Sequence, residues 1–235
     1  MQPLRVDRLG KVHEAQRGGG IPKEIADMLE SRLPVLEEAV EKVEAASGTV
    51  YPPYYIMPLL ILVRSEAEVG ETGVYYARNV PVVVAGRLNL LIEFTAPLLL
   101  HASKQTLQAV AAHEFTHYLE LIRRFSTAPS SSPSPSTMFE ATYKDMQEAF
   151  PAEKVFGRYR SLLTAMNRKF VEGFVDEPLN RRVVRSWLGK KLPCVAVRPD
   201  DNAVKIPVTA ITNANLDTAA LARISSLQTD GRRPA

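Results

Sequence analysis

The stretch from Lys104 to about Phe125 constrains this chain most. It is filled with Ala, Leu, Gln and Glu, residues that lose little rotamer freedom in a helix, and Ser103 stands where an N-cap belongs. With 46% hydrophobic residues over 235 positions, there is enough apolar material to build a core around it.

What precedes the helix reads as helix and then sheet. Residues 1–20 show no clear period and end in Gly18-Gly19-Gly20, which suggests a loosely held arm. Pro22 suits a first helical position, and Ile25, Met28, Leu29 and Leu33, then Leu36, Val40 and Val43, recur at helical spacing, with Pro34 expected to split or kink the run. Short strands follow at Leu59–Val63, Val74–Tyr76 and Val80–Val84. Ala85-Gly86 is a tight turn into Leu88–Phe94, where Leu88, Leu90, Ile92 and Phe94 alternate mostly with polar residues. That alternation predicts a one-sided strand near a sheet edge.

Downstream, Ser126 to Thr137 is rich in Ser, Thr and Pro and is expected to be a mobile loop. From Met138 to about Leu188 the pattern is helical again, broken at Pro151 and Pro178. Two short extended stretches, Cys194–Val197 and Val204–Thr209, precede a weak helix and a polar tail. The expected organisation is an N-terminal arm with helices over 1–50, a core over 51–190, and a C-terminal extension over 191–235. The fold class is α+β.

Composition removes several classes. No apolar run approaches the ~18 residues of a membrane span, and Met1 to Arg8 holds no secretory leader, so a cytoplasmic location without membrane contact is expected. Cys194 is the only cysteine, which forbids an internal disulfide and reads as a small core residue. A net charge of +3, from 29 basic and 26 acidic residues, is too mild for a nucleic-acid partner, and Arg181, Arg182 and Arg185 are too few to make a basic face.

His113-Glu114-Phe115-Thr116-His117 falls in the middle of the long helix. The spacing HExxH turns both imidazoles onto one helix face, where they can grip one ion. Glu114 sits one step around, placed to act as a base on a water at that ion rather than as a ligand. A catalytic zinc takes three protein ligands, and no histidine occurs after His117; the sixth position beyond it is Arg123. The third ligand is therefore a carboxylate. Glu172 is the leading candidate, with Glu140, Glu148, Glu153 and Glu177 still open. On a helix, Glu172 and Asp176 lie about 40° apart, so both can serve one site: Glu172 on the metal, Asp176 accepting the second ring N–H of a zinc histidine.

The remaining polar candidates read as structural. His101 suits a loop or capping role, and His13 lies in the arm. Glu120 is placed to pair with Arg123 or Arg124 at the surface, and Tyr143 and Tyr159 suit packing.

HExxH followed by Glu172-Gly173-Phe174-Val175-Asp176, an ExxxD pattern, resembles the gluzincin metallopeptidases. Over residues 55 to 190 the order of strands, active-site helix, loop and glutamate helix is similar to the small forms called minigluzincins. The resemblance implies a zincin-like fold in which a small mixed sheet packs on the active-site helix. It also implies zinc held by His113, His117 and Glu172, base work by Glu114, support from Asp176, and hydrolysis of a peptide substrate lying along the Leu88–Phe94 strand. No downstream histidine is present to steady an oxyanion. That departure favours the alternative, a zinc-stabilised binding or scaffold domain with little hydrolysis. In the peptidase reading, residues 190–235 or the 126–137 loop are expected to cover the cleft.

Overall fold

Nine helical segments and eight strands appear among the described residues of this chain, a computed structural model that describes residues 6–64, 72–127, 136–140, 149–171, 173–198 and 203–229. The strands are β1 (Tyr54–Met57), β2 (Leu60–Arg64), β3 (Thr72–Tyr75), β4 (Ala77–Val84), β5 (Arg87–Thr95), β6 (Ser136–Glu140), β7 (Cys194–Val197) and β8 (Ala203–Pro207). The helices are α1 (Gly10–Arg17), α2 (Lys23–Ser47), α3 (Ala96–His101), α4 (Lys104–Thr127), α5 (Ala152–Phe156), α6 (Arg160–Lys169), α7 (Glu177–Val183), α8 (Val208–Thr212) and α9 (Thr218–Thr229), with one π-turn at Val184–Leu188. The fold is thus a mixture of helices and small sheets, in keeping with α+β.

From residue 6 onward the N-terminal arm is docked rather than loose. Leu9 and Val12 are buried, and the Arg8 carbonyl accepts a hydrogen bond from Ile56 N at 2.9 Å, which ties the arm to β1. Arg8 also pairs with Glu37 and lies over the Tyr54 ring, so tertiary contacts hold the arm where the sequence shows no period. Pro34 does not split α2 either. Leu29 on one side and Leu36 on the other are both fully buried, so the two halves share one core and the helix runs on across the missing backbone donor.

β5 is the central strand of the sheet β1-β5-β4, with β1 parallel and β4 antiparallel to it. It is buried from Leu88 to Thr95, so the expectation of a one-sided edge strand is corrected. Glu93 and Asn89 face partners instead of water. Glu93 accepts from Tyr55 Oη at 2.6 Å and Arg78 Nε at 2.9 Å, while Asn89 Oδ1 accepts from Asn215 Nδ2 at 3.2 Å. The sheet edge toward α4 is β4. The β4–β5 hairpin closes at Ala85 and Gly86, with φ of 49° and 73°, the left-handed pair a two-residue turn demands.

Beyond α4, residues 128–135 and 141–148 lie outside the described residues, so most of the expected loop is not placed. Residues 136–140 are extended, correcting both the loop expected through Thr137 and the helix expected from Met138. They pair antiparallel with β8, a partner over 60 positions away that no local pattern announces. Pro151 directly precedes α5, and Pro178 lies in the first turn of α7, so both breaks fall where the prolines predict.

The C-terminal stretch is woven into the rest. β7 joins β2 in the sheet β3-β2-β7, α9 packs on α4, and Arg223 Nε donates to Ser47 O at 2.7 Å. One buried cluster runs from Leu9 to Leu227, through all three segments expected from the sequence. Cys194 is exposed at the start of β7, not a core residue. No helix among the described residues is long and apolar enough to cross a membrane.

Candidate metal centre

Helix α4 is buried from Thr106 to Ile122, enclosed by α2, α6, α9 and β4. Ser103 caps it as expected, its Oγ accepting from Thr106 N at 3.1 Å. Burial on all sides removes rotamer freedom from the side chains in its middle. It also strips water from any polar group there, which must then find a partner.

His113 and His117 find each other. Their Nε2 atoms approach to 3.0 Å, with ring planes at 82°, and both side chains are buried. Two imidazole nitrogens bound tetrahedrally to zinc, each at about 2.0–2.1 Å, stand about 3.3 Å apart. The pair is thus within a few tenths of an ångström of the spacing a shared ion needs. Burial, and then the neighbouring His117, hold the His113 pKa well below the usual histidine value, which favours the neutral, metal-binding form. Phe170 stacks face to face on His113, ring centroids 3.6 Å apart and planes at 8°, and closes that side of the pair.

Glu114 is buried beside them. Its carbonyl and its Oε2 both accept from Asn79 Nδ2 of β4, at 3.0 and 3.1 Å. The sequence reading began this strand at Val80 and missed Asn79. An asparagine beside a valine-rich strand, where asparagine is depleted, was the available signal.

Glu172, the expected third ligand, lies outside the described residues. The helix expected to carry it with Asp176 is absent. Phe170 and Phe174 form a bridge, Val171 N donates to Gly173 O at 3.2 Å, and Val175 N donates to Lys169 O at 2.7 Å. Gly173 has φ of 126°, which no helix accepts. Helix α7 starts only at Glu177, with Asp176 as its N-cap: the Asp176 carboxylate accepts from Leu179 N at 3.3 Å, from Thr106 Oγ1 at 3.3 Å and from Lys169. Asp176 thus fastens α4, α6 and α7 together, with its oxygens engaged there.

Among the other carboxylates, Glu148 lies outside the described residues, Glu153 is exposed, and Glu177 pairs with Arg181 on the surface. Glu140 lies on β6, paired with Ala203. Glu120 does pair with Arg123, at 2.8 Å, but it is buried rather than superficial. His101 bonds Ser186 Oγ at 2.8 Å, and His13 bonds Glu30 at 2.9 Å. Tyr143 lies outside the described residues, and Tyr159 is 42% exposed instead of packed. No group of three or more metal-ligating side chains assembles among the described residues.

The stretch Ala214–Thr218, part of the expected cap, lines a cavity of about 540 Å³ with Tyr118 and Ile122. Those two residues sit about 140° and 180° around α4 from His113, so this stretch lies behind the helix rather than over the histidines. Comparison of the chain with protein-family models, curated proteins and solved structures returns no match.

Proposed function

We propose that this chain is a zinc-dependent metallopeptidase. The observation that carries the reading is the convergence of the His113 and His117 Nε2 atoms to 3.0 Å in a buried site, with the Glu114 carboxylate on the adjoining helix position. His113 and His117 would hold the ion, with Glu172 as the carboxylate third ligand. Zinc supplies Lewis acidity and a lowered water pKa when bound. Glu114 takes the proton from the attacking water and passes it to the leaving amine nitrogen. Phe170 holds the His113 ring in place and keeps solvent off that face. Among the described residues β4, rather than the enclosed β5, is an edge of its sheet, and an extended peptide would lie along it.

Elemental analysis tests the ligands. About one zinc per chain is expected in the wild type, lost in His117→Ala and Glu172→Ala. Hydrolysis of an unfolded-protein substrate tests the rest. Zinc bound without any hydrolysis, unchanged in Glu114→Gln, would replace the peptidase with a zinc-stabilised scaffold.

A further inference from the structure

The geometry points to Asn79 as a positioning residue for Glu114, an inference that rests on the peptidase reading. The amide of Asn79 donates to two acceptors on one residue: the Glu114 carbonyl at 3.0 Å and its carboxylate Oε2 at 3.1 Å. A donor that bridges the backbone and side chain of the same residue closes a ring through it. The glutamate χ angles, otherwise three soft torsions, are thereby tied to the axis of α4. No other donor could do this from β4 with one group, because only an NH₂ offers two hydrogens on one nitrogen without a charge.

The orientation of the amide is set by its surroundings. Turned over, Oδ1 would face a carbonyl oxygen and a carboxylate oxygen, so Nδ2 must be the atom that meets Glu114. The consequence is that Oδ1 is directed elsewhere, and among the described residues it is a buried acceptor without a partner. Asn79 is itself buried, on the edge strand of its sheet. Fold stability alone would place an apolar residue there, as at Ala77 and Pro81 on the same buried face of β4. A buried amide with one end unsatisfied and the other committed to the base serves the base.

The test is steady-state kinetics on zinc-loaded Asn79→Leu, which keeps the γ-branched shape and removes both donors, beside Asn79→Thr, which suits a strand and cannot bridge the two oxygens. The expected result is a fall in kcat of about 10- to 100-fold, the scale of an ångström-sized misplacement of a reacting group. KM should stay within about twofold, with zinc content and melting temperature near wild type. A kcat within twofold of wild type, in an active wild-type enzyme, overturns the role of Asn79 and leaves the peptidase standing. Loss of zinc together with activity, or failure of both variants to fold, makes Asn79 an architectural residue and also overturns it. A wild type that cleaves no peptide overturns both readings.

Discussion

Two segments meet at His113, and they are built on opposite terms. On one side α4 is enclosed from Thr106 to Ile122, with every turn tied by the helical ladder. On the other, Phe170, Val171 and Gly173–Val175 carry a β-bridge, backbone bonds at Val171 and Val175, a glycine at φ 126° and a ring contact of Phe174 with Tyr76 at 5.0 Å, with Val171 72% and Val175 54% exposed. The helix supplies two nitrogens and a carboxylate at spacings its geometry fixes. The turn contributes Phe170, stacked on one of those rings, and leaves Val171 and Val175 largely in solvent.

The largest effects are expected on the helix side. Glu114→Gln should lower kcat by about 10²- to 10⁴-fold while zinc is retained, because it removes the proton carrier and leaves the ligands in place. Full activity in that variant would remove the helix from the chemistry. Phe115→Ala should then cost about 3–5 kcal/mol of unfolding free energy. Phe115 is fully buried and stacks on Tyr51 with ring centroids 5.5 Å apart, so no solvent-side relaxation can fill the gap. Urea denaturation measures it, and a loss below about 1 kcal/mol would show that α4 is not the rigid partner.

On the turn side the effects should be smaller. Gly173→Ala forces a Cβ into φ 126° and should cost about 1–3 kcal/mol, read from the same denaturation curves. An unchanged stability would mean that the turn relaxes freely around this position.

The same contrast explains what the residues announced. Helix α4 was legible because a 3.6-residue period, the Ser103 cap and the i, i+4 histidines are all local, and the Ala85-Gly86 hairpin was legible from two adjacent residues. The turn was not, since Val171, Phe174 and Val175 carry helical spacing and only the φ of Gly173 forbids the helix. That Asp176 caps α7 is not announced either, because Pro178 marks a helix start but does not say which oxygen closes it. β5 reads as an edge because Asn89 and Glu93 look solvated until Asn215, Tyr55 and Arg78 arrive from elsewhere in the chain. Asn79 went unseen for a related reason: its partner Glu114 is 35 positions away.

Val171→Ser gives the smallest and most discriminating effect. At 72% exposure the valine side chain buries little apolar surface, so its loss should change unfolding free energy by no more than about 0.5 kcal/mol. A cost above about 1 kcal/mol would mean that the turn is packed in solution and that the contrast with α4 is false. If stability holds and hydrolysis changes, the exposed valine serves substrate, because it follows Phe170 directly and Phe170 covers His113. A peptide passing the histidines would then cover apolar surface that the fold leaves uncovered. Comparing KM for substrates with apolar and polar residues next to the scissile bond, in wild type and Val171→Ser, reads this out: a loss confined to the apolar substrates assigns the turn to recognition, and an equal change in both assigns it to the scaffold.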